Sequence, residues 1–433
     1  KAIRRQRQMC IRDSCYNVKS NYTSSAFRSY DVWYANYKWI ANVNYIIDAE
    51  PEMAGTEADV AYVAGQAYAI RALCYLNLAT WFSRAPYNSL TGASRWNEPC
   101  VPVYTTGTSI DTGGQPRESL RTVYGRIDQD IDRAIELLEK ARETTLAENN
   151  KSHINLYVAL GIKSRACLAE GDWDGAFKAA KRVIDEGGYA VGTKSDLTGG
   201  MNSLDKQNVM WGAGIQVADQ AGGYAGFFTH MDNKEGAYAK SAPKLISKQL
   251  YNRISATDIR RDWWDPSDKE SPYVSKKFSF ANVASFLGDY IYMRVEEMYF
   301  TAAEAALRLD DLKSARELMN TVMAERDPGY SANNRSGTLL GATTTTWTGS
   351  FLENILTHRR IELWGEYGRL FDVRRLGQGI DRRTDDGFSE ECISMMNRRN
   401  VNITKADTYD WVLTIPKAEL DANPNINEED QNP

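Results

Sequence analysis

The chain has 433 residues, 42% of them hydrophobic and 25% charged, and a net charge of −5. That balance is ordinary for a globular protein and argues against a nucleic-acid partner. No run of about 18 apolar residues occurs, so no segment is expected to cross a membrane as a helix. The 24 Tyr and 11 Trp exceed what a core needs, and surplus aromatics often line binding surfaces.

Six cysteines are scattered at Cys10, Cys15, Cys74, Cys100, Cys167 and Cys392. Cys74 and Cys167 fall in apolar helical stretches, which reads as buried free thiols. His153, His230 and His358 lie far apart, so a histidine metal site or a Ser-His triad is a poor reading. Residues 1–14, KAIRRQRQMCIRDS, are basic and differ in composition from the rest of the chain. They read as a non-native leader and are left out of the fold. Residues 15–433 are expected to form a single domain.

Residues 22–50 predict an aromatic-rich helix, with Val32 and then Tyr37, Ile40, Val43 and Ile47, the last four at three- to four-residue steps. Residues 59–82 predict a second helix dense in Ala, which lets a neighbour approach closely. A Gly-, Pro- and Ser-rich loop spans 83–119, long enough to suggest a functional segment. Residues 120–142 are again helical. Next come a helix at 154–170, a turn at Gly171-Asp172 and a helix at 173–186. The plan returns at 293–309, Asp310-Asp311 and 312–325. Ala166 aligns with Ala305, Trp173 with Leu312, Ala176 with Ala315 and Val183 with Val322, without a gap. Such pairs resemble tetratricopeptide repeats, whose units must stack to cover their apolar faces. Helical repeats are thus expected over about 22–190 and 291–377. Residues 191–290 read as an irregular insertion with a strand at 209–217 and a helix at 242–252. Residues 327–350 form another irregular stretch, and 378–433 a C-terminal segment.

Residues 352–377 predict one long charged helix. Arg359, Glu362, Glu366, Arg369, Asp372 and Arg375 recur at helical spacings. Two carboxylates one turn apart suit acid–base work, but alternating Arg and Glu fit a structural ion network better.

The pattern R-x-x-E-L-x-x-E-x-x-R-x-x-D-x-x-R, carried by these residues and Leu363, resembles the signature of the SusD/RagB family of nutrient-binding outer-membrane lipoproteins. Met293-Arg294 with Glu297 and Ala303-Glu304-Ala305, Asp258-Ile259-Arg260, Arg71-Ala72 before Trp81-Phe82, and Ile415-Pro416 with Gln431-Asn432-Pro433 agree in order and spacing. The resemblance implies a mostly α fold, in which tetratricopeptide-like helix pairs form a right-handed scaffold with an irregular, loop-rich ligand-binding subdomain. It also implies delivery of oligosaccharides, or peptides in some members, to a SusC-like TonB-dependent transporter. Members are held at the cell surface by a lipidated N-terminal Cys. Cys10 and Cys15 lack the preceding apolar segment, so the anchor is expected to be missing from this chain.

Sugar rings offer an apolar C–H face and a rim of hydroxyls, matched by flat aromatics and polar groups carried on loops. Three loops have that chemistry. The first holds Arg84, Tyr87, Arg95, Trp96 and Asn97. The second holds Tyr224, Phe227, Phe228, Asp232 and Asn233, whose aromatics could equally pack the insertion. The third holds Trp347. Trp263-Trp264 reads as core, and Trp33, Trp39, Trp173, Trp364 and Trp411 as structural. No cofactor is implied; a structural calcium ion stays open. The leading reading is a non-catalytic glycan-binding protein. A peptide-binding member of the family, a tetratricopeptide docking scaffold and a helical glycoside hydrolase are the alternatives.

Overall fold

The structure is a computed structural model and describes residues 24, 27–144, 146, 150–217, 226–379, 408–409 and 412–433. It is mostly helical and falls into two compact units. The described part of one, the terminal unit, lies within Val18–Ala179, Leu370–Gly379 and Ile403–Pro433; that of the other, the central unit, lies within Ala180–Arg369.

In the terminal unit α1 spans Phe27–Ala49, α2 Glu57–Phe82, α3 Leu120–Lys140 and α4 Leu156–Glu170. Each of the last three starts follows a local cap. Thr56 accepts from Asp59 N, Ser119 from Thr122 N, and Asn155 from both Tyr157 N and Val158 N. These side chains satisfy backbone donors that a helix start leaves open, and so place α2 two residues earlier, and α4 two residues later, than periodicity alone suggests. The Ala face of α2 buries Ala61, Ala64, Ala67, Ala72 and Ala79. At Gly65 a Cβ would stand 2.9 Å from Leu138 Cγ, so only a bare backbone lets α2 and α3 approach this closely.

Helix α5, Trp173–Glu186, follows α4 through Gly171-Asp172, and its bounds match expectation. The second pair, α6 (Val295–Arg308) and α7 (Leu312–Ala324), lies in the central unit. Ala166, Ala305, Ala176, Ala315, Val183 and Val322 are all buried, as the repeat alignment requires.

Three expectations are corrected. First, Met293 and Arg294 are not helical. They end strand β2 (Tyr290–Arg294), antiparallel to β1 (Val209–Ala213), because extended Arg294 pairs with Val209 and opens the helix only at Val295. The strand expected over 209–217 is therefore shorter. Second, the helix expected over 242–252 is one turn, Lys248–Tyr251, capped by Ser247.

Third, the charged helix is two helices, α8 (Phe351–Glu362) and α9 (Arg369–Leu376). Gly365 and Gly368 between them adopt left-handed φ values of 77° and 115°. A Cβ at Gly365 would also meet Phe278 Cε2 at 2.5 Å, so the turn needs glycine twice over. The core of the central unit is aromatic: Phe228, Tyr251, Trp263, Trp264, Phe278 and Phe280 pack together, with Trp364 against them. Trp263 and Trp264 are core, as expected.

Candidate functional site

Arg359, Glu362, Asp372 and Arg375 are buried and Glu366 and Arg369 half-buried, and the described bonds replace most of the expected helix ladder. Glu362 accepts from Arg326 at 3.0 Å, Arg294 at 3.1 Å and Arg260 at 3.1 Å, all with fully buried side chains. Glu366 accepts from Arg294 at 2.8 Å and from Lys277. Arg359 reaches Glu297 and Thr301 on α6. Asp372 and Arg375 do pair at i,i+3, at 2.7 Å; Arg369 opens α9, half-buried. Most partners thus come from other elements. Burial alone would raise the Glu362 carboxyl, but Arg326, Arg294 and Arg260 outweigh it and hold it well below the usual carboxylate range. Burial and Arg260 together keep His358 neutral, so its Nδ1 accepts from Arg260 at 2.9 Å. The Glu362 cluster of the central unit is buried away from solvent, as a structural network requires.

Of the residues expected to bind ligand, four share one loop of the terminal unit. Arg84 and Arg95 both reach Glu98, and Arg84 lies 4.9 Å over the Tyr409 ring. Trp96 is half-buried, edge-on to Tyr124 at 5.7 Å, with Arg121 at 5.8 Å over its ring. Asn97 is exposed. Tyr87 lies against Gly171 and edge-on to Trp173 at 6.1 Å. In the central unit Phe227 packs on Phe228 and Phe278 at 5.2 Å each, within the aromatic core. Trp347 is half-buried under the Arg253 guanidinium at 3.7 Å. Tyr224 and Trp411 lie outside the described residues.

Sequence reasoning missed a groove on α1, in the terminal unit. It holds about 560 Å³ and is lined by Tyr30, Trp33, Tyr34, Tyr37, Lys38, Tyr104 and Glu419, among others. Trp33 is its floor, edge-on to Phe82 at 4.8 Å, and donates from Nε1 to Glu419 Oε2 at 3.2 Å. Tyr37 donates to Pro102 O at 2.7 Å. On the rim Tyr30 and Tyr34 stack at 5.5 Å with planes 10° apart, and are 43% and 51% exposed. Part of the signal was available: Tyr30, Tyr34 and Lys38 sit four residues apart along α1, beside Tyr37 of the apolar stripe. Trp39, read as structural, is 56% exposed on α1, a correction.

The groove's far wall is preformed. Asn44 donates to Tyr104 O and Thr106 O, and Arg71 donates to Asn44 Oδ1 and Thr105 O. Arg71 is in turn held by a bidentate buried pair with Asp130, both bonds 2.7 Å.

Elsewhere in the unit, burial first, then the charges of Asp128 and Asp172, push the Glu170 carboxyl up to about 9, and it shares a hydrogen bond with Asp128. Cys74, Cys100 and Cys167 are buried free thiols; burial raises all three, Cys74 to about 12. Among the described residues no group of three or more His, Cys, Asp or Glu is arranged to hold a metal ion, and no helix is long and apolar enough to cross a membrane.

A scaffold of helix pairs with a buried Arg–Glu cluster is the fold class the signature suggested. The SusD family model matches residues 234–433, and a model described as starch-binding associating with outer membrane matches residues 5–168. The chain belongs to the SusD/RagB family. Among solved structures, a SusD-like carbohydrate binding protein from Bacteroides vulgatus ATCC 8482 is 24% identical with a TM-score of 0.74, covering 96% of this chain and 86% of that one. A SusD superfamily protein from Bacteroides thetaiotaomicron VPI-5482 is 22% identical with a TM-score of 0.73, covering 93% and 85%. Surface glycan-binding protein A from Bacteroides uniformis is 18% identical with a TM-score of 0.65, covering 96% and 87%. At these identities the likeness is one of fold. No curated protein sequence matches the chain.

Proposed function

We propose that the protein binds oligosaccharide at the cell surface and passes it, unaltered, to a SusC-like TonB-dependent transporter in the outer membrane, to which it is held by a lipid anchor. The observation that carries this reading is the family match at both ends of the chain, one model being described as starch-binding associating with outer membrane. The structural relatives described as carbohydrate- and glycan-binding support it.

The hydrolase alternative needs two carboxyls about 5–9.5 Å apart across a glycosidic bond, one with a raised pKa. Glu170 has the raised pKa, but its neighbour Asp128 is hydrogen-bonded to it. Two carboxyls sharing a proton leave no room between them for a sugar linkage, which disfavours turnover at this pair.

Calorimetric titration against a panel of oligosaccharides is expected to show saturable binding, with no product on prolonged incubation. Affinity for at least one glycan is expected to fall when Trp96→Ala is introduced. Products appearing on the same panel, or binding of oligopeptides in place of glycans, would falsify the proposal. Co-purification of the lipidated protein with a TonB-dependent transporter tests the delivery step.

A further inference from the structure

Tyr30, Trp33, Tyr34 and Lys38 of the α1 groove belong to none of the sequence motifs, and the groove's chemistry is mixed in a particular way. Its floor and rim are aromatic. Its charged lining side chains are Lys38 on one side and Glu419 on the other, which cancel. Thr108, Ser109 and Thr112 add hydroxyls along the loop wall. Neither charge sign dominates, so a phosphate or other anion has no cluster of cations to hold it. Hydroxyls, which donate and accept at once, suit a carboxylate, an ammonium and Thr/Ser hydroxyls set around aromatic rings.

The volume also fits. About 560 Å³ lies inside the usual range for ligand clefts, roughly 300–1,000 Å³. An extended peptide bound by strand addition would require an open strand edge. This groove has none: it is lined by side chains of α1, of the 104–112 loop and of residues 416–419, and the α1 backbone groups are spent within the helix.

The groove is also held in shape before any ligand arrives. Glu419 is fixed at both oxygens, by Trp33 Nε1 at 3.2 Å and Asn423 Nδ2 at 2.8 Å, with lone pairs left over on each. Asn423 donates as well to Gln115 O. The opposite wall hangs on Asn44, Arg71 and Asp130. A site whose polar groups are already oriented loses little conformational entropy on binding.

We infer that the α1 groove is a binding subsite for a neutral oligosaccharide, made of residues other than Arg84, Tyr87, Trp96 and Asn97. The sugar C–H faces lie against the aromatic rim at Tyr30 and Tyr34, and hydroxyls reach Glu419, Lys38 and the loop hydroxyls. The inference deepens the carbohydrate-binding reading above and rests on it.

The test is titration of the wild type and of Tyr34→Ala and Glu419→Gln variants against neutral oligosaccharides (malto-, cello-, xylo- and mannooligosaccharides). Trp33 fluorescence and circular dichroism serve as parallel readouts. Tyr34 is half exposed, so its loss leaves the fold intact. Tyr34→Ala is expected to weaken the best ligand by about ten-fold, and Glu419→Gln by about three-fold. Wild-type binding that survives both substitutions within about two-fold overturns the groove assignment alone. A wild type that binds no oligosaccharide overturns both the groove and the carbohydrate reading. Oligopeptide binding that Tyr34→Ala abolishes overturns the assigned ligand class.

Discussion

Position by position, the turn joining α4 to α5 and the turn joining α6 to α7 make the same bonds. Asp172 N donates to Cys167 O at 2.9 Å, and Asp311 N to Ala306 O at 2.9 Å. Asp172 caps Gly175 N at 3.0 Å, and Asp311 caps Ser314 N at 3.0 Å. The left-handed position is Gly171 at φ 77° in one and Asp310 at φ 62° in the other. Along the helices the aligned Ala and Val pairs stay buried, but other positions differ in chemistry. Where α4 buries Val158 and Ile162, α6 buries Glu297 and Thr301; buried Arg165 stands opposite buried Glu304. The turn repeats because its bonds close within a few residues. The helix faces differ because a buried face answers to whatever packs on it, and α6 meets Arg294, Arg326 and Arg359.

The largest way to break that comparison is at the charged face. Glu362→Gln leaves Arg260, Arg294 and Arg326 without their shared anion, and is expected to destabilise the protein by about 3–5 kcal/mol in denaturant titration. No residue of the α4–α5 pair is expected to match that figure. The sign with pH comes from the depressed carboxyl. Its stabilisation is complete above the unfolded value of about 4.3 and is lost as pH falls through the lower folded value. Wild type should therefore lose stability steeply below about pH 4, and the variant less so.

The acid Glu170 aligns with Leu309, which gives a second contrast. Its folded value is raised, so it contributes no penalty below about pH 4.3 and a growing one as pH rises towards its folded value. Glu170→Gln is expected to gain roughly 1–3 kcal/mol over wild type at about pH 8 and nothing at about pH 4. Equal stability at both pH values would contradict a shared proton with Asp128.

The smallest effects belong to the turn, where the two hairpins should behave alike. Asp172→Ala and Asp311→Ala each remove one cap and are expected to cost about 1 kcal/mol, equal within error by thermal melting. Gly171→Ala should cost more than the reverse-sense Asp310→Gly. A Cβ at Gly171 meets Tyr87 Cδ1 at 2.6 Å, while glycine at 310 relieves a left-handed backbone.

Much of the helical plan was legible because its causes are local. Caps at Thr56, Ser119 and Asn155, the Ala stripe of α2 and the Gly-Asp and Asp-Asp turns each act within one or two turns of chain. The family was legible for a related reason: charged residues at fixed spacing survive as a pattern even when their role is misread. The groove was not, because Tyr30 and Tyr34 become a rim only when residues 104–112 and 416–419 arrive opposite them. Trp39, seven residues after Val32 and four before Val43, reads as structural from spacing alone, yet it is exposed. The sequence alone therefore determined the helical hairpins, their turns and the SusD/RagB membership. Only the tertiary structure decided that Glu362 and Glu366 of the charged signature meet basic residues from several elements, and that glycines break its helix. Those outcomes depend on Arg260, Lys277, Arg294 and Arg326, which lie from 36 to 102 positions away from Glu362 or Glu366. No local pattern encodes which of those residues will meet.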